Sequence, residues 1–120
     1  MKRVLVIEDD EDLRSDLITV LEFEGYEAIG AENGQQGVLM ARQHLPDLII
    51  CDVTMPVLDG FEVIMALHQN LQTAAIPVIF LSARSDKAAI ERGMRLGAAA
   101  YVRKPYSLKG LLAAVGTHLC

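Results

Sequence analysis

Five polar side chains stand where short apolar runs of the sequence end. They are Glu8, Asp9, Asp52, Ser82 and Lys104. If the runs are parallel strands of one sheet, their carboxyl ends lie at the same edge, and three carboxylates, a hydroxyl and an ammonium group meet there. Open sheets of this kind bind their ligands outside the carboxyl ends of the strands. The order of these residues along the chain therefore predicts a charged site at that edge.

The residue types of this cluster indicate phosphoryl chemistry with a divalent metal. Crowded carboxylates repel one another, which raises their pKa values and costs stability unless a cation joins them. An oxygen-only set suits a hard ion, and Mg²⁺ (or Mn²⁺) is the predicted one. Lys104 could neutralise a phosphoryl oxygen, and Ser82 could donate a hydrogen bond to another. A carboxylate beside such an ion is a competent nucleophile that forms an aspartyl phosphate.

Each of these residues also has an ordinary structural interpretation. The acidic run continues through Asp10, Glu11 and Asp12, which favour the N-terminus of a helix through its dipole. Ser82 alone could be a turn or capping serine, and Lys104 alone could be a solvated surface lysine. Their occurrence together at successive strand ends favours the functional interpretation.

Strands and helices alternate along the chain in the predicted pattern. The strand candidates are residues 4–7, 27–30, 48–51, 78–81 and 99–103. The first, third and fourth are apolar and rich in β-branched residues, which is typical of parallel strands buried on both faces. Strands that alternate with helices imply an α/β fold with a parallel sheet and right-handed crossovers. Five units are too few for a closed eight-stranded barrel, so we expect an open, doubly wound, three-layer α/β/α sandwich.

Helix patterns complete the prediction. Apolar residues recur at helical spacing at Leu13, Leu17 and Leu21, at Phe61, Ile64, Leu67 and Leu71, and at Leu108, Leu111, Leu112, Val115 and Leu119. The predicted N-caps are Asn33, Ser85 and Ser107, and the predicted helix ends are Gly25 and Gly97. Residues 86–96 have only Ile90, Met94 and Leu96 to bury, which predicts a weakly packed helix.

Composition limits the classes of protein that this chain could belong to. With 120 residues, of which 52% are hydrophobic, we expect one domain over 1–120 with a substantial core. A formal charge of −5 argues against broad binding to nucleic acids or anionic membranes. Neither a run of about 20 apolar residues nor a signal-peptide core is present. Cys51 and Cys120 do not make a disulfide framework, so a cytoplasmic setting is expected.

Taken together, these motifs resemble the receiver domain of bacterial two-component response regulators, including the single-domain chemotaxis regulator. The motifs are Glu8-Asp9, Asp52-Val53-Thr54-Met55-Pro56 with Asp59-Gly60, Ser82-Ala83, and Lys104-Pro105. The resemblance covers essentially the whole chain. It implies a flavodoxin-like fold whose five parallel strands are arranged in the order 2-1-3-4-5, and a signalling switch rather than an enzyme.

The resemblance also implies a role for each matching residue. Asp52 would be the phosphoacceptor, and Asp9 and Asp52 would ligate Mg²⁺ with the backbone carbonyl of Thr54, while Glu8 acts mainly through water. Ser82 and Lys104 would contact the phosphoryl group. Alignment on Leu13-Arg14 places the acidic pair at Glu8-Asp9, with Asp10 as the weaker alternative. The Lys104–Pro105 bond would be cis.

A switch mechanism follows from the same resemblance. Phosphorylated Asp52 would draw Ser82 toward it, Tyr101 would turn into the vacated space, and the surface formed by 86–96, 99–103 and 107–119 would change for a partner. The phosphoryl donor would be a sensor histidine kinase or a histidine phosphotransfer protein, and the target a downstream protein or an output domain. Residues 97–101 lack the acids through which many relatives dimerise, so a monomer or a weak phosphorylation-dependent dimer is expected.

Other functions remain open at this point. The main alternative is an adaptor on the same fold that binds without phosphorylation. A flavin carrier would need a loop rich in hydroxyls and glycine after the first strand, where this chain has five acids. A phosphatase of the haloacid dehalogenase type would need more chain and a second aspartate. The chain could be a stand-alone receiver or a piece of a longer protein.

Overall fold

The computed structural model describes residues 1–84 and 86–119, in which strands and helices alternate. The strands are β1 (Arg3–Ile7), β2 (Glu27–Ala31), β3 (Leu48–Asp52), β4 (Val78–Ser82) and β5 (Ala100–Arg103). The helices are α1 (Glu11–Phe23), α2 (Gly34–His44), α3 (Gly60–His68), α4 (Lys87–Arg95) and α5 (Leu108–His118). The alternation predicted from the sequence is confirmed for these elements. None of the described helices is long and apolar enough to cross a membrane.

The sheet is parallel throughout, and its strands are arranged in the order β2-β1-β3-β4-β5. Helices α1 and α5 pack on one face, and α2, α3 and α4 pack on the other. This arrangement confirms the doubly wound, flavodoxin-like fold. Strand β2 is an edge strand. The direction in which the chain adds strands reverses between β1 and β3, which is where ligands bind in open α/β sheets.

The three central strands are buried because helices cover both of their faces. Val4 and Leu5 are neighbours in β1 but belong to different cores, since successive side chains point to opposite faces of a sheet. The core on the α2–α4 face contains Phe61 and Phe80, whose ring centroids are 5.4 Å apart in an edge-to-face contact. Burial on both faces explains why these strands read as continuous apolar runs.

Side-chain caps determine where the helices begin. The capping residues are Asp10, Asn33, Asp59, Asp86 and Ser107. The predicted caps Asn33 and Ser107 are confirmed, whereas Ser85 lies outside the described residues. The predicted helix ends at Gly25 and Gly97 are also confirmed. Their φ angles of 93° and 102° are in the left-handed region, which glycine adopts without strain.

The predicted third helix is too long at its C-terminal end. Helix α3 ends at His68, and the side chain of Leu71 is 96% exposed instead of buried. The chain turns because the hydroxyl of the buried Thr73 donates a hydrogen bond to the carbonyl of Leu67 at 2.7 Å. A polar side chain therefore ends this helix from within the core, and the helical spacing of Leu71 is coincidental.

The buried face predicted for the fourth helix is only partly correct, because Leu96 packs against the core and Met94 does not. Helix α4 buries Ala89 and Gly93, while Met94 is 45% exposed. A methyl group on Gly93 would lie 3.1 Å from ring atoms of both Phe80 and Tyr101. The helix approaches the sheet closely because small residues face two aromatic rings, and a search for large apolar residues cannot detect that arrangement.

Candidate functional site

The carboxylates predicted to form the site come together at the carboxyl ends of β1 and β3. Glu8 and Asp9 directly follow β1, and Asp52 is the last residue of β3. These strands are neighbours and Ile7 pairs with Cys51, so the next residue of each strand lies at the same level of the sheet. Each of the three residues has a carboxylate oxygen within 4.8 Å of the others. Glu8 and Asp52 are buried, and Asp9 is exposed to solvent.

Lys104 joins this cluster from the end of β5. Its ammonium group donates hydrogen bonds to Oδ2 of Asp52 at 2.9 Å and to Oε1 of Glu8 at 3.3 Å. The backbone N–H of Lys104 donates to the carbonyl of Ser82 at 2.8 Å, which holds the lysine beside the end of β4. The peptide bond between Lys104 and Pro105 is cis, as the resemblance implies.

Backbone groups hold the two buried carboxylates in place. The N–H of Thr54 donates to Oδ1 of Asp52, and the N–H of Asp10 donates to Oε2 of Glu8, both at 3.2 Å. Arg14 Nη1 also donates to the backbone carbonyl of Glu8 at 2.7 Å. Both oxygens of each buried carboxylate therefore accept a hydrogen bond, which limits the orientations that these side chains can adopt.

Burial of like charges changes the protonation of the cluster. Burial, a hydrogen bond with Asp9 and the charge of Asp52 raise the pKa of Glu8 from 4.5 to about 7. Burial opposes the charged form of Lys104, but the hydrogen bond and charge of Asp52, with the charge of Glu8, outweigh it and raise the pKa of the ammonium group. Lys104 therefore stays protonated at neutral pH, while Glu8 is divided between its two forms.

The raised pKa of Glu8 predicts a particular pH dependence of stability. A carboxyl group that binds protons more tightly in the folded state adds stability fully below pH 4.5, and this stability is lost as pH rises through about 7. Glu8→Gln replaces the charged form with a neutral one. Without metal at pH 8, we expect the free energy of unfolding of this variant to exceed that of the wild type by about 2 kcal/mol. At pH 5 the difference should be small, because most of the wild-type Glu8 is then protonated in the folded state.

Urea unfolding in EDTA at pH values from 5 to 8 measures this difference in free energy. Glu22→Gln is the matched control, because Glu22 is exposed on α1 and forms no ion pair among the described residues. If Glu8→Gln and the wild type have the same free energy of unfolding at pH 8, the folded protein does not raise the pKa of Glu8 as described.

The donor set fits a hard divalent cation. Three carboxylates with a single lysine leave excess negative charge at the site, and all the ligand atoms offered are oxygens. Glu8, Asp9 and Asp52 could hold Mg²⁺ or Mn²⁺. That the backbone carbonyl of Thr54 is a further ligand of the ion stays a prediction. The carboxylate of Asp10, the weaker alternative in the sequence, accepts a hydrogen bond from the N–H of Leu13 and caps α1.

The predicted switch residues are connected through one backbone segment. Ser82 is fully buried, and its hydroxyl accepts a hydrogen bond from the N–H of Arg84 at 3.0 Å. The hydroxyl of Tyr101 donates to the carbonyl of the same Arg84 at 2.6 Å, while its ring packs against Phe80 at 6.1 Å between centroids. The peptide groups of one residue thus link Ser82 to Tyr101.

Two features of the site cannot be found by inspecting side-chain types. Arg84 makes its contacts to Ser82 and Tyr101 through backbone atoms, so its identity carries no signal for this role. Gly60 begins α3 where a methyl group would lie 2.5 Å from the carbonyl oxygen of Asp52 and 2.9 Å from the α-carbon of Val53. In the sequence, only the Asp59-Gly60 motif indicated that a glycine is needed at this position.

Comparisons of sequence relate the chain to signalling proteins. The model of the response regulator receiver domain matches residues 4–116. Protein PilH of Pseudomonas aeruginosa is 35% identical over 119 residues, which cover 99% of this chain and 98% of that protein. Transcriptional regulatory protein PdtaR of Mycobacterium tuberculosis is 40% identical over 115 residues, which cover 95% of this chain and 55% of that protein. The chain thus spans about half the length of that second relative.

Solved structures show the same fold. Chemotaxis protein CheY4 of Vibrio cholerae superposes with a TM-score of 0.93 at 29% identity, with 99% of both chains covered. The signal receiver domain of a signal transduction histidine kinase from Syntrophus aciditrophicus superposes with a TM-score of 0.91 at 32% identity, covering 99% of this chain and 90% of that one. Both the sequence and the fold therefore match along nearly the whole chain.

Proposed function

This chain belongs to the response regulator receiver domain family of two-component signalling, and we propose that it accepts a phosphoryl group on the carboxylate of Asp52. Receiver domains are signalling domains rather than classical enzymes. One observation carries the proposal: the ammonium group of Lys104 lies 2.9 Å from an Asp52 oxygen within a cluster of three carboxylates. The whole chain, residues 1–120, would act as one phosphoacceptor domain.

The transfer exchanges one bond to phosphorus for another. An Asp52 oxygen bonds to the phosphorus atom, and the bond from phosphorus to the imidazole nitrogen of a donor histidine breaks, so that the leaving imidazole takes up a proton. Asp52 is oriented for this attack by the N–H of Thr54 and by Lys104. The same ammonium group would neutralise a phosphoryl oxygen, and the Ser82 hydroxyl would donate to another.

Glu8, Asp9 and Asp52 would hold a divalent cation, which would supply positive charge to the phosphoryl oxygens. The chain itself then provides the positioned nucleophile and a fixed ammonium group. Phosphoryl transfer depends mainly on positioning and charge neutralisation, so this arrangement assists both phosphorylation and dephosphorylation of Asp52. The protein would therefore promote its own modification without acting on a separate substrate.

Phosphorylation would reach the protein surface through Arg84. If the Ser82 hydroxyl turned toward a phosphoryl group on Asp52 to donate to it, this movement would lengthen the hydrogen bond that the Ser82 oxygen accepts from the N–H of Arg84. The carbonyl of Arg84 holds Tyr101, so a shift of this segment changes the position of the tyrosine. The surface of α4, β5 and α5 would then change toward a partner, which is a transition between two discrete states.

The partners follow from the same proposal. The donor would be a sensor histidine kinase or a histidine phosphotransfer protein in the cytoplasm, and the target a downstream protein or an attached output domain. Residues 97–101 contain no acid, so a monomer or a weak phosphorylation-dependent dimer is expected.

The direct test is phosphorylation of the wild type by acetyl phosphate, followed by intact-mass measurement. We expect a single phosphoryl adduct that forms at least about tenfold faster with Mg²⁺ than with EDTA. Hydroxylamine should remove the adduct, because it cleaves acyl phosphates and leaves phosphate esters of hydroxyl groups intact. An adduct that forms equally well in EDTA, or one that resists hydroxylamine, contradicts the proposal.

A further inference from the structure

Positive charge is concentrated in the last third of the chain. Residues 83–120 contain seven of the eleven lysines and arginines and two of the sixteen acids, a formal charge of +5, whereas residues 1–82 carry −10. Such an asymmetry indicates a surface for an anionic group on a molecule whose overall charge repels anions. The arginines of this region show where that surface lies.

Two of these arginines, Arg92 and Arg95, line a groove on α4, and a third, Arg84, lies near the same aromatic ring as Arg92. The guanidinium carbon of Arg92 is 4.6 Å from the centroid of the Phe61 ring, and that of Arg84 is 6.0 Å from the same centroid. Arg95 follows Arg92 by one helical turn. The groove, called here the arginine groove, has a volume of about 370 Å³ and is lined by Ala88, Arg92, Arg95 and Leu96.

The acids of this region do not neutralise the arginine groove. Asp86 lies 3.6 Å from Nε of Arg84 and caps α4, and the only other acid of residues 83–120 lies 3.8 Å from Lys87. Among the described residues, no carboxylate forms an ion pair with Arg92 or Arg95, and both side chains are exposed. Arg92 and Arg95 carry like charges one helical turn apart in the lining of the groove, and an external carboxylate between them would relieve their repulsion.

We propose that the arginine groove binds a short acidic segment of a partner protein. Carboxylates of the segment would pair with Arg92 and Arg95, whose planar guanidinium groups favour two parallel hydrogen bonds. The apolar side chains of Ala88 and Leu96 would contact an apolar residue of the segment. The binding itself does not depend on the proposed function. The use of this groove as an output surface does, because the link to Ser82 would run through Arg84, whose guanidinium lies near the Phe61 ring together with that of Arg92.

The size and charge of the molecule favour a short protein segment over a nucleic acid. The domain measures 33 × 31 × 27 Å, so a long polyanion that contacts the arginine groove would also pass the strongly acidic remainder of the chain. Charges interact over roughly 8 Å at physiological ionic strength, which lets a short segment avoid that repulsion. The side chains of Ala88 and Leu96 in the lining also suit apolar peptide side chains better than a phosphate backbone.

The test uses a synthetic peptide of glutamate and leucine residues, titrated into unphosphorylated ¹⁵N-labelled protein. We expect saturable amide shifts at Arg84 and along Lys87–Arg95, and none from the same peptide with glutamine in place of glutamate. Arg95→Glu should weaken binding about fivefold to tenfold, because it replaces an attraction with a repulsion at an exposed position. Arg103→Glu is the matched control, since it makes the same charge change on β5 and should leave the affinity unchanged.

Several outcomes would overturn the inference. They are equal losses from Arg95→Glu and Arg103→Glu, no shifts at about 1 mM peptide, tighter binding of a duplex oligonucleotide than of the peptide, and shifts that depend on protein concentration alone. The last would assign the groove to a second copy of the chain. Phosphorylation is not needed in this experiment, so its failure is distinguishable from a failure of the proposed function.

Discussion

Asp52→Asn is expected to abolish phosphorylation of this protein. Asparagine keeps an oxygen that can accept the hydrogen bond from the N–H of Thr54, but its amide is not a nucleophile that forms an acyl phosphate. The loss should be complete in intact-mass measurements after incubation with acetyl phosphate and Mg²⁺. The fold should persist, because the substitution removes one negative charge from a crowded cluster while Lys104 keeps its contact with Glu8.

The matched control for this variant is Asp59→Asn. Asp59 lies in the loop that follows β3, and its carboxylate caps α3 by accepting a hydrogen bond from the N–H of Glu62 at 2.8 Å. Asparagine caps helices about as well as aspartate, so this change should leave phosphorylation intact. A phosphoryl adduct that persists in Asp52→Asn would assign the modification to another residue. Partner binding unchanged in that variant, with or without phosphodonor, would instead favour the phosphorylation-independent adaptor.

Lys104→Met is expected to slow phosphorylation by about a hundredfold or more. The substitution keeps the length of the side chain but removes the only described cation that forms an ion pair with Asp52 and Glu8. Loss of one preorganised donor to a developing charge typically costs a factor of about 10²–10³ in rate. The rate of formation of the phosphoryl adduct at saturating Mg²⁺ measures the effect.

The same variant should also be less stable without metal. Removal of one partner from a buried ion pair leaves the other charge uncompensated, and a cost of about 2 kcal/mol is expected because Lys104 keeps some contact with solvent. Mg²⁺ should restore part of this loss, since it neutralises the same carboxylates. Lys109→Met is the control, because Lys109 is exposed on α5 and has no ion pair among the described residues. Equal phosphorylation rates in Lys104→Met and the wild type would contradict the role assigned to Lys104.

The predictions that failed concern places where packing departs from a simple apolar pattern. Leu71 continued the spacing of the third helix, but Thr73 ends that helix with a hydrogen bond to Leu67. Ile90, Met94 and Leu96 were predicted to be the buried residues of the fourth helix. Leu96 packs against the core, but Met94 is exposed, and the residues that the helix buries are Ala89 and Gly93. A periodic pattern reports which side chains are apolar and cannot report which side chain another part of the chain will contact.

The sequence by itself determined the alternation of strands and helices and the residues at the strand ends. Continuous apolar runs require burial on both faces of a sheet, and parallel strands bring their carboxyl ends to one edge. Glu8, Asp9 and Asp52 could therefore be assigned to one site before any distance was known. Their assignment to phosphoryl chemistry followed from charge and ligand type, which are properties of the residues alone.

The tertiary structure decided what depends on contacts between distant residues. It placed Lys104 at 2.9 Å from Asp52, made Arg84 the link between Ser82 and Tyr101, and gathered arginines beside α4. These features depend on backbone hydrogen bonds and on the packing of α4 against α3, neither of which leaves a periodic signal in the sequence. The order of the strands along the chain was enough to predict that Glu8, Asp9 and Asp52 meet at one edge of the sheet, whereas the arginine groove exists only because the folded chain brings separate charges together.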